Sequence, residues 1–394
     1  MKRTNPLKAP GSRGKIDISV LIIVLLIIAF GLLMLFSASF YYGQSREGDG
    51  YYYIKQQLRG VIVGAVAMWF FSFVDYKTWA KPKVALAIYL GCMALLLACF
   101  VPGIAMPVNE AHRWINLGFT SFQPGEISKF GIILVISSVI SRYKPGNMQK
   151  FWTGVFPILL LVGGICAILY MQPNFSMLSM ILICAFAMLF IAGMKWSQII
   201  IMGVLGLTAG GLLMISEPYR LDRVRIFLDP FSPQLAEMGV DSFQLRQSLY
   251  AIGSGGAFGT GLGQSRQKYL FLPLGESDFI FSIIAEELGL IGCIVVMLAF
   301  LFLIWQGYRI AWKCPDRFGR LVAAGITTII GLQTFINIAV ATSSMPSTGV
   351  PLPFISYGST ALMCFMAAVG ILLSVSRSTT TSVMTNPSVS SRMR

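Results

Sequence analysis

Charge is what this sequence lacks most. Only 12% of its 394 residues are Asp, Glu, Lys or Arg, while 56% are hydrophobic. A soluble domain carries roughly 25% charged residues. With a mean hydropathy of +0.73, that shortage excludes a soluble enzyme, and the apolar content excludes a disordered chain. Acidic residues are the scarcer sign, 16 against 30 Lys and Arg, with a single histidine and a net charge of +14. Such an excess could suit nucleic acid. In so apolar a chain it reads instead as the basic residues that gather on the cytoplasmic side of a membrane protein, so no nucleic-acid partner is expected. The seven cysteines offer no even pairing pattern. Cys92, Cys99, Cys166, Cys184, Cys293 and Cys364 lie in apolar runs and Cys314 in a basic loop. None has metal-ligand spacing, so neither disulfides nor zinc are expected. A convincing internal repeat is also missing, which weakens the case for a repeat-built transporter.

What the chain has is long apolar runs. They cover about 18–40, 58–74, 83–102, 126–141, 151–171, 177–193, 198–216, 279–305, 319–342 and 358–376. A hydrocarbon core about 30 Å thick needs about 20 apolar residues per helix. The runs are unbroken rather than alternating, which excludes barrel strands. The expectation is an all-α polytopic membrane protein with about ten transmembrane helices, a single domain over 1–376, and a Ser/Thr-rich cytoplasmic tail over 377–394. Placing the N-terminus inside puts nineteen Lys and Arg on the cytoplasmic side and ten outside. Six of those ten, Arg220, Arg223, Arg225, Arg246, Arg266 and Lys268, fall in one long loop, which the positive-inside rule discounts. Both termini are therefore expected in the cytoplasm. The long loop, 217–278, would face outside. Its aromatics and the Gly-rich stretch Gly253–Gly263 predict a structured lid or re-entrant element. The last outside segment, STGVPLPFISYGST, is too proline-dense for regular helix and too apolar for a solvated linker, so it reads as a buried re-entrant turn.

Ionisable groups inside a span cost about 2.5–3.5 kcal/mol each on insertion scales and are functional candidates by default. Glu126 and Lys129 in QPGEISKF share one helix face at i,i+3; they form either a packing ion pair or part of a site. Glu286 and Glu287 in SIIAEELG point about 100° apart, which predicts that they do not share one site. Asp278 in GESDFIFS stands at the mouth of the eighth run. From position alone it reads first as a helix cap. Arg113 in NEAHRWINLG, Arg223 in YRLDRVRIFLDP, and Arg266 with Lys268 in GQSRQKY make the outer side basic, which suits an anionic lipid substrate or a plain solvated loop. Arg113 could hold a phosphate through its fork. The lone His112 reads as structural and Trp114 as an interface anchor.

Several stretches in this order, HRWINLG, QPGEISK, RLDRVRIFLDP, QLRQSLYAIGSGG, GLGQSRQKY, LPLGESDFIFSIIAEELG and TGVPLPFISYG, resemble the SEDS family (shape, elongation, division and sporulation) over nearly the whole chain. GQSRQKY and GESDFIFSI are closer to the FtsW/SpoVE branch than to the RodA branch. The resemblance implies a peptidoglycan glycosyltransferase of the bacterial cytoplasmic membrane, polymerising lipid II, a disaccharide-pentapeptide on undecaprenyl diphosphate. It maps the family's essential aspartate onto Asp278, which then outweighs the cap reading. It maps the arginine of the RWI motif onto Arg113 and the QPxExxK pair onto Glu126 and Lys129. It also implies a class B penicillin-binding protein transpeptidase and other division proteins as partners. On that reading Asp278 is catalytic, and Arg113, Glu126, Lys129, Arg223 and Arg266 are candidates for binding substrate. A divalent cation, Mg or Mn, could share the diphosphate charge, although no ligand cluster in the sequence demonstrates one. Three positions depart from the family pattern: Asn174 after Gln172-Pro173, Ser359 after Gly358, and Glu276. The competing reading is a lipid II flippase. It would need polar groups along its depth, whereas these cluster toward the outer face. A pure scaffold would not account for a lysine inside a span.

Overall fold

The computed structural model describes residues 14–108, 111–116, 121–215 and 218–385. Each of the ten apolar runs is a helix: α1 (Ile18–Arg46), α2 (Tyr52–Phe73), α3 (Pro82–Ala98), α4 (Pro124–Ser141), α5 (Phe156–Met171), α6 (Phe175–Ile191), α7 (Trp196–Ile215), then α11 (Ile280–Lys313), α12 (Arg317–Ala341) and α13 (Ser359–Thr385). Local chemistry sets where they begin. Asp17 caps α1 by accepting from Ser19 N at 3.0 Å, and Asp316 caps α12 through Gly319 N at 2.7 Å. Prolines occupy the first turn of α3, α4 and α5, where the missing N–H is not needed. Among the described residues seven helices are long and apolar enough to cross a membrane, and α3 and α6 are shorter apolar helices. The protein is a mostly helical, multi-pass membrane protein.

The interior is built on α4, whose residues are buried on nearly every face. α4 packs on α3, α6 and α12; α12 also lies along α11, and α13 lies along α2. The outward surface is apolar. Ile62, Val66 and Trp69 of α2, and Ile200, Val204 and Leu207 of α7, are exposed, as lipid-facing side chains must be. Not everything is helical. β1 (Ala105–Val108), β2 (Ala111–Asn116) and β3 (Ser121–Phe122) form a small antiparallel sheet in the order β1-β2-β3, which the helical reading of the sequence did not anticipate. It carries Arg113. At the other end of the chain α13 continues through Ser378 to Thr385, into the segment read as a tail. Residues 371–385 contain neither glycine nor proline to interrupt it.

The segment between α7 and α11 is structured. It holds α8 (Pro218–Leu228), α9 (Pro233–Glu237) and α10 (Phe243–Gly255). After α10 the Gly-rich stretch crosses α11 backbone to backbone. Thr260 N donates to Glu286 O at 2.9 Å, Gly261 N to Glu287 O at 3.0 Å, and Leu290 N to Gly256 O at 2.9 Å. The crossing breaks α11 at Gly289, whose φ of 66° and ψ of −165° are not helical. A β-carbon there would collide with Gly259 N, and one at Gly255 with Ala285 O. Glycine is therefore required both by conformation and by contact. Gly289→Ala is expected to lower stability by about 1–3 kcal/mol from backbone strain alone, before any loss from the crowded crossing. Thermal unfolding of the detergent-purified protein measures this, and a comparable substitution at Gly91, where a β-carbon meets open space, should leave the midpoint nearly unchanged.

Candidate active site

Asp278 lies in the turn leading into α11. The N-cap of that helix is Phe279, and no side chain caps it, so the capping role that position alone suggested is not the one Asp278 plays. Its main chain is held instead. Asp278 N donates to Leu274 O at 3.1 Å, and Asp278 O accepts from Asn337 Nδ2 at 2.9 Å. The carboxylate has no ion pair within 4 Å among the described residues. Burial raises Asp278 to about 6, and the positive charge of Arg223 is the one influence pulling it back. Gly349 passes beside it at a φ of 69°, where a β-carbon would stand 3.5 Å from Oδ2.

The proline-rich segment 344–358 is non-helical, and its 350–356 part is mostly buried, with Val350, Leu352, Phe354 and Ile355 in the interior. It is tied to the Asp278 turn at several points. Tyr357 N donates to Glu276 O at 2.9 Å and Ser356 Oγ to Ser277 O at 2.6 Å. Gln57 of α2 bonds Ser356 O at 3.0 Å and Gly358 N at 3.1 Å.

Two arginines approach from the other side. Arg223 on α8 donates to Ser347 O at 2.6 Å and to the Tyr219 hydroxyl. Arg113 on β2 donates to Gln172 O at 3.4 Å and to Pro173 O. Burial lowers the Arg113 pKa, and Arg223 lowers it further, which records their mutual repulsion. Thus the sheet, the α5–α6 corner, α8 and the proline-rich turn converge. Asn174, the departure from the family pattern, caps α6 by accepting from Met177 N at 3.4 Å. Its Nδ2, like Thr348 Oγ1, is buried with no bonded partner among the described residues.

Among the described residues no hydrogen bond or ion pair joins Glu126 or Lys129 to Asp278. They form an ion pair of 2.6 Å with 4% and 0% of their side chains exposed. Lys129 Nζ also donates to Gln333 Oε1 at 2.8 Å and sits 4.3 Å from the centre of the Phe365 ring, a cation–π contact. Arg266 is likewise not bonded to Asp278 among the described residues. It is exposed, and its N–H donates to Glu286 Oε1 at 2.9 Å. The side chain of His112 lies outside the described part of the structure.

Glu286 and Glu287, expected to serve different places, grip the same turn. Glu286 accepts from Ser265 Oγ and Arg266 N. Glu287 accepts from Ser265 N at 3.3 Å, Lys268 Nζ at 3.2 Å and Ser37 Oγ at 2.7 Å. The 100° between them is bridged because the turn wraps around that edge of α11. Residues to which the sequence reading gave no role matter here too. Glu276, read only as a departure from the family pattern, is 4% exposed and is raised to about 7 by burial and by the charge of Asp278. Gln333 and Asn337 were legible only as two amides spaced i,i+4 in an apolar helix. Among the described residues no three His, Cys, Asp or Glu are grouped to hold a metal ion.

With that geometry in place, residues 17–381 match the profile of the FtsW/RodA/SpoVE cell cycle proteins. The chain belongs to that family. It is 39% identical over 361 residues to stage V sporulation protein E of Bacillus subtilis, covering 92% of this chain and 97% of that one. It is 37% identical over 360 residues to a probable peptidoglycan glycosyltransferase FtsW of Geobacter sp. strain M18, covering 91% and 96%. Among solved structures it resembles a chain of a peptidoglycan synthase complex studied for the coordination of polymerization and crosslinking, with a TM-score of 0.74, 25% identity and coverage of 92% and 98%. RodA of Thermus thermophilus shares the fold, with a TM-score of 0.68 at 24% identity, over 92% and 97%. The family resemblance read from the motifs is thereby shown.

The buried ion pair yields a stability test. Removing one partner leaves an uncompensated buried charge, which costs about 3–5 kcal/mol. Glu126→Leu and Lys129→Met, each alone, should therefore lower the thermal midpoint more than the two together. A double variant as unstable as the sum of the singles would show that the pair is not coupled.

Proposed function

We propose that this protein is a peptidoglycan glycosyltransferase that polymerises lipid II at the outer face of the cytoplasmic membrane during cell division or sporulation, with both termini in the cytoplasm. The observation that carries the reading is Asp278: a half-buried carboxylate, neither capping nor ion-paired among the described residues, with Arg223 as its charged neighbour and Arg113 beyond. Such a group is a base in waiting. Asp278 takes the proton of the acceptor sugar hydroxyl as that oxygen attacks the anomeric carbon of the lipid-linked glycan. The carbon–oxygen bond to the diphosphate breaks with inversion, and the leaving group departs with the electron pair. Arg113 and Arg223 receive its developing charge. Both are already oriented by carbonyl oxygens and keep further N–H donors for phosphate. Two other assignments, Glu126 and Lys129 as direct substrate contacts, find less support, since both side chains are occupied by each other. Arg266, exposed on its turn, fits an outer contact with the lipid-linked substrate. Assembly with a class B penicillin-binding protein fits the likeness to a synthase complex. The flippase alternative would use polar groups through the depth of the bundle; the charged pair of α4 is closed on itself and on Gln333 of α12, and the amide nitrogens of Gln333 and Asn337 are committed to loop carbonyls.

Purified lipid II offered to the detergent-purified chain, with and without a candidate transpeptidase, tests this. Wild type should form glycan strands, and Asp278→Asn should lose about 10²–10⁴-fold in rate while remaining folded. Strands made normally by that variant would remove Asp278 as the base. The pH profile gives a second check. A base raised to about 6 is active when deprotonated, so kcat should fall as pH drops through about 6. Removing the Arg223 charge, which pulls that value down, should move the limb to higher pH in Arg223→Gln.

A further inference from the structure

The Asp278 main chain is held by a side chain that never touches the carboxylate. Asn337 of α12 is 1% exposed. Its Nδ2 donates both hydrogens, one to Asp278 O and one to Val350 O, each at 2.9 Å. With two carbonyl oxygens facing that atom, only the amide nitrogen can stand there. Gln333, one turn earlier on the same face, repeats the pattern. Its Nε2 donates to Pro351 O at 2.8 Å while its Oε1 accepts from Lys129 Nζ at 2.8 Å. Two amides thus clamp consecutive carbonyls, Val350 and Pro351, of a turn whose prolines supply few N–H groups for bonds of its own. The same clamp runs from the Glu126–Lys129 pair at one end to Asp278 at the other.

We propose that Asn337 is a positioning residue for glycosyl transfer, fixing the Asp278 turn against the proline-rich segment, and that Gln333 anchors this clamp on the buried ion pair. The two bonds call for an amide at this position, because a hydroxyl has one hydrogen to give and an aspartate carboxylate none. Loss of the clamp lets the Asp278 backbone shift relative to a substrate held by Arg113 and Arg223. A misplacement of about 1 Å in a reacting group costs about 10²-fold in rate. Binding of the lipid-linked diphosphate depends on the arginines and is unaffected.

This rests on the functional reading above, and the experiment separates the two. Lipid II polymerisation is measured for wild type, Asp278→Asn, Asn337→Ala and Asn337→Gln, with KM resolved from kcat and with hydrogen exchange monitored at the 350–358 amides. An inactive wild type, or an active Asp278→Asn, defeats the functional reading. If those two behave as expected, Asn337→Ala should lose about 10–100-fold in kcat with KM within about twofold. Its 350–358 amides should exchange faster. Asn337→Gln, which keeps both N–H donors on a longer arm, should recover part of kcat. The proposal is overturned if Asn337→Ala keeps wild-type kcat, or if its loss lies in KM. Should Asn337→Ala fail to fold, Asn337→Gln decides: a folded variant whose loss in kcat is accompanied by faster exchange of the 350–358 amides, or one with both near wild type, upholds the clamp. One with wild-type exchange and a lowered kcat overturns it.

Discussion

Backbone that leaves a helix inside a bilayer has no water to turn to, so each freed N–H and C=O must find a partner within the protein. This protein breaks its helices where the candidate chemistry lies. The Asp278 turn, the proline-rich turn and the Gly-rich stretch are three irregular segments, the first two bonded to each other and the third to α11, and a set of buried polar side chains serves them. Asn337, Gln333 and Gln57 supply amide groups to carbonyls that prolines leave unmatched. Ser356 bridges two of the segments. The Lys129 ammonium, stripped of water, is satisfied by Glu126 and Gln333 together, so its burial becomes part of the same scaffold. The candidate base is thereby placed entirely through its main chain, and its carboxylate stays uncommitted.

The Gly-rich stretch solves the same problem without side chains. Its amides and carbonyls bond directly to those of Glu286, Glu287, Leu290 and Ile291, which requires two backbones to touch and therefore glycine on both. The two glutamates on the opposite edge then hold the 265–268 turn by accepting its N–H groups. What looks in the sequence like a costly pair of intramembrane acids is a pair of multivalent acceptors. The helix break at Gly289 and the acids at 286 and 287 are one device: the break admits the crossing Gly-rich stretch, and the acids fasten the 265–268 turn at its far end.

Helices and their order were legible because lipid imposes length and apolarity on each one, and every run read from hydropathy is a helix. Asp278 and Arg113 were legible through motifs. Irregular segments were legible as irregular, from proline and glycine, but their bonding was not. Nothing local in the sequence says that Asn337 meets residue 278 rather than a neighbour on its own helix. The small sheet around Arg113 was missed because its strands are two to six residues long and Pro107 interrupts any alternation. Glu286 and Glu287 were misread because helical geometry gives the angle between two side chains but not the shape of the turn they hold. Glu126 and Lys129 were read correctly as one face of one helix; that their pair closes on itself is a consequence of α12 lying against them.

The electrostatics of Asp278 reflect a compromise between two demands on a base. Full burial alone would leave the carboxyl protonated at neutral pH and useless as a base. Full solvation would leave it ionised but too weak to draw a proton from a sugar hydroxyl. Burial raises it, and Arg223 offsets the rise, leaving the group near 6, ionised at neutral pH yet more basic than a solvated aspartate. Direct pairing with an arginine would have overshot, holding the carboxylate far below the useful range. Arg223 instead spends its own hydrogen bonds on Ser347 O and Tyr219, which keeps its charge in range without forming a salt bridge. A carboxylate that is to gain a proton during the reaction has to be held near an arginine but not by it, and this arrangement of loop carbonyls achieves that separation.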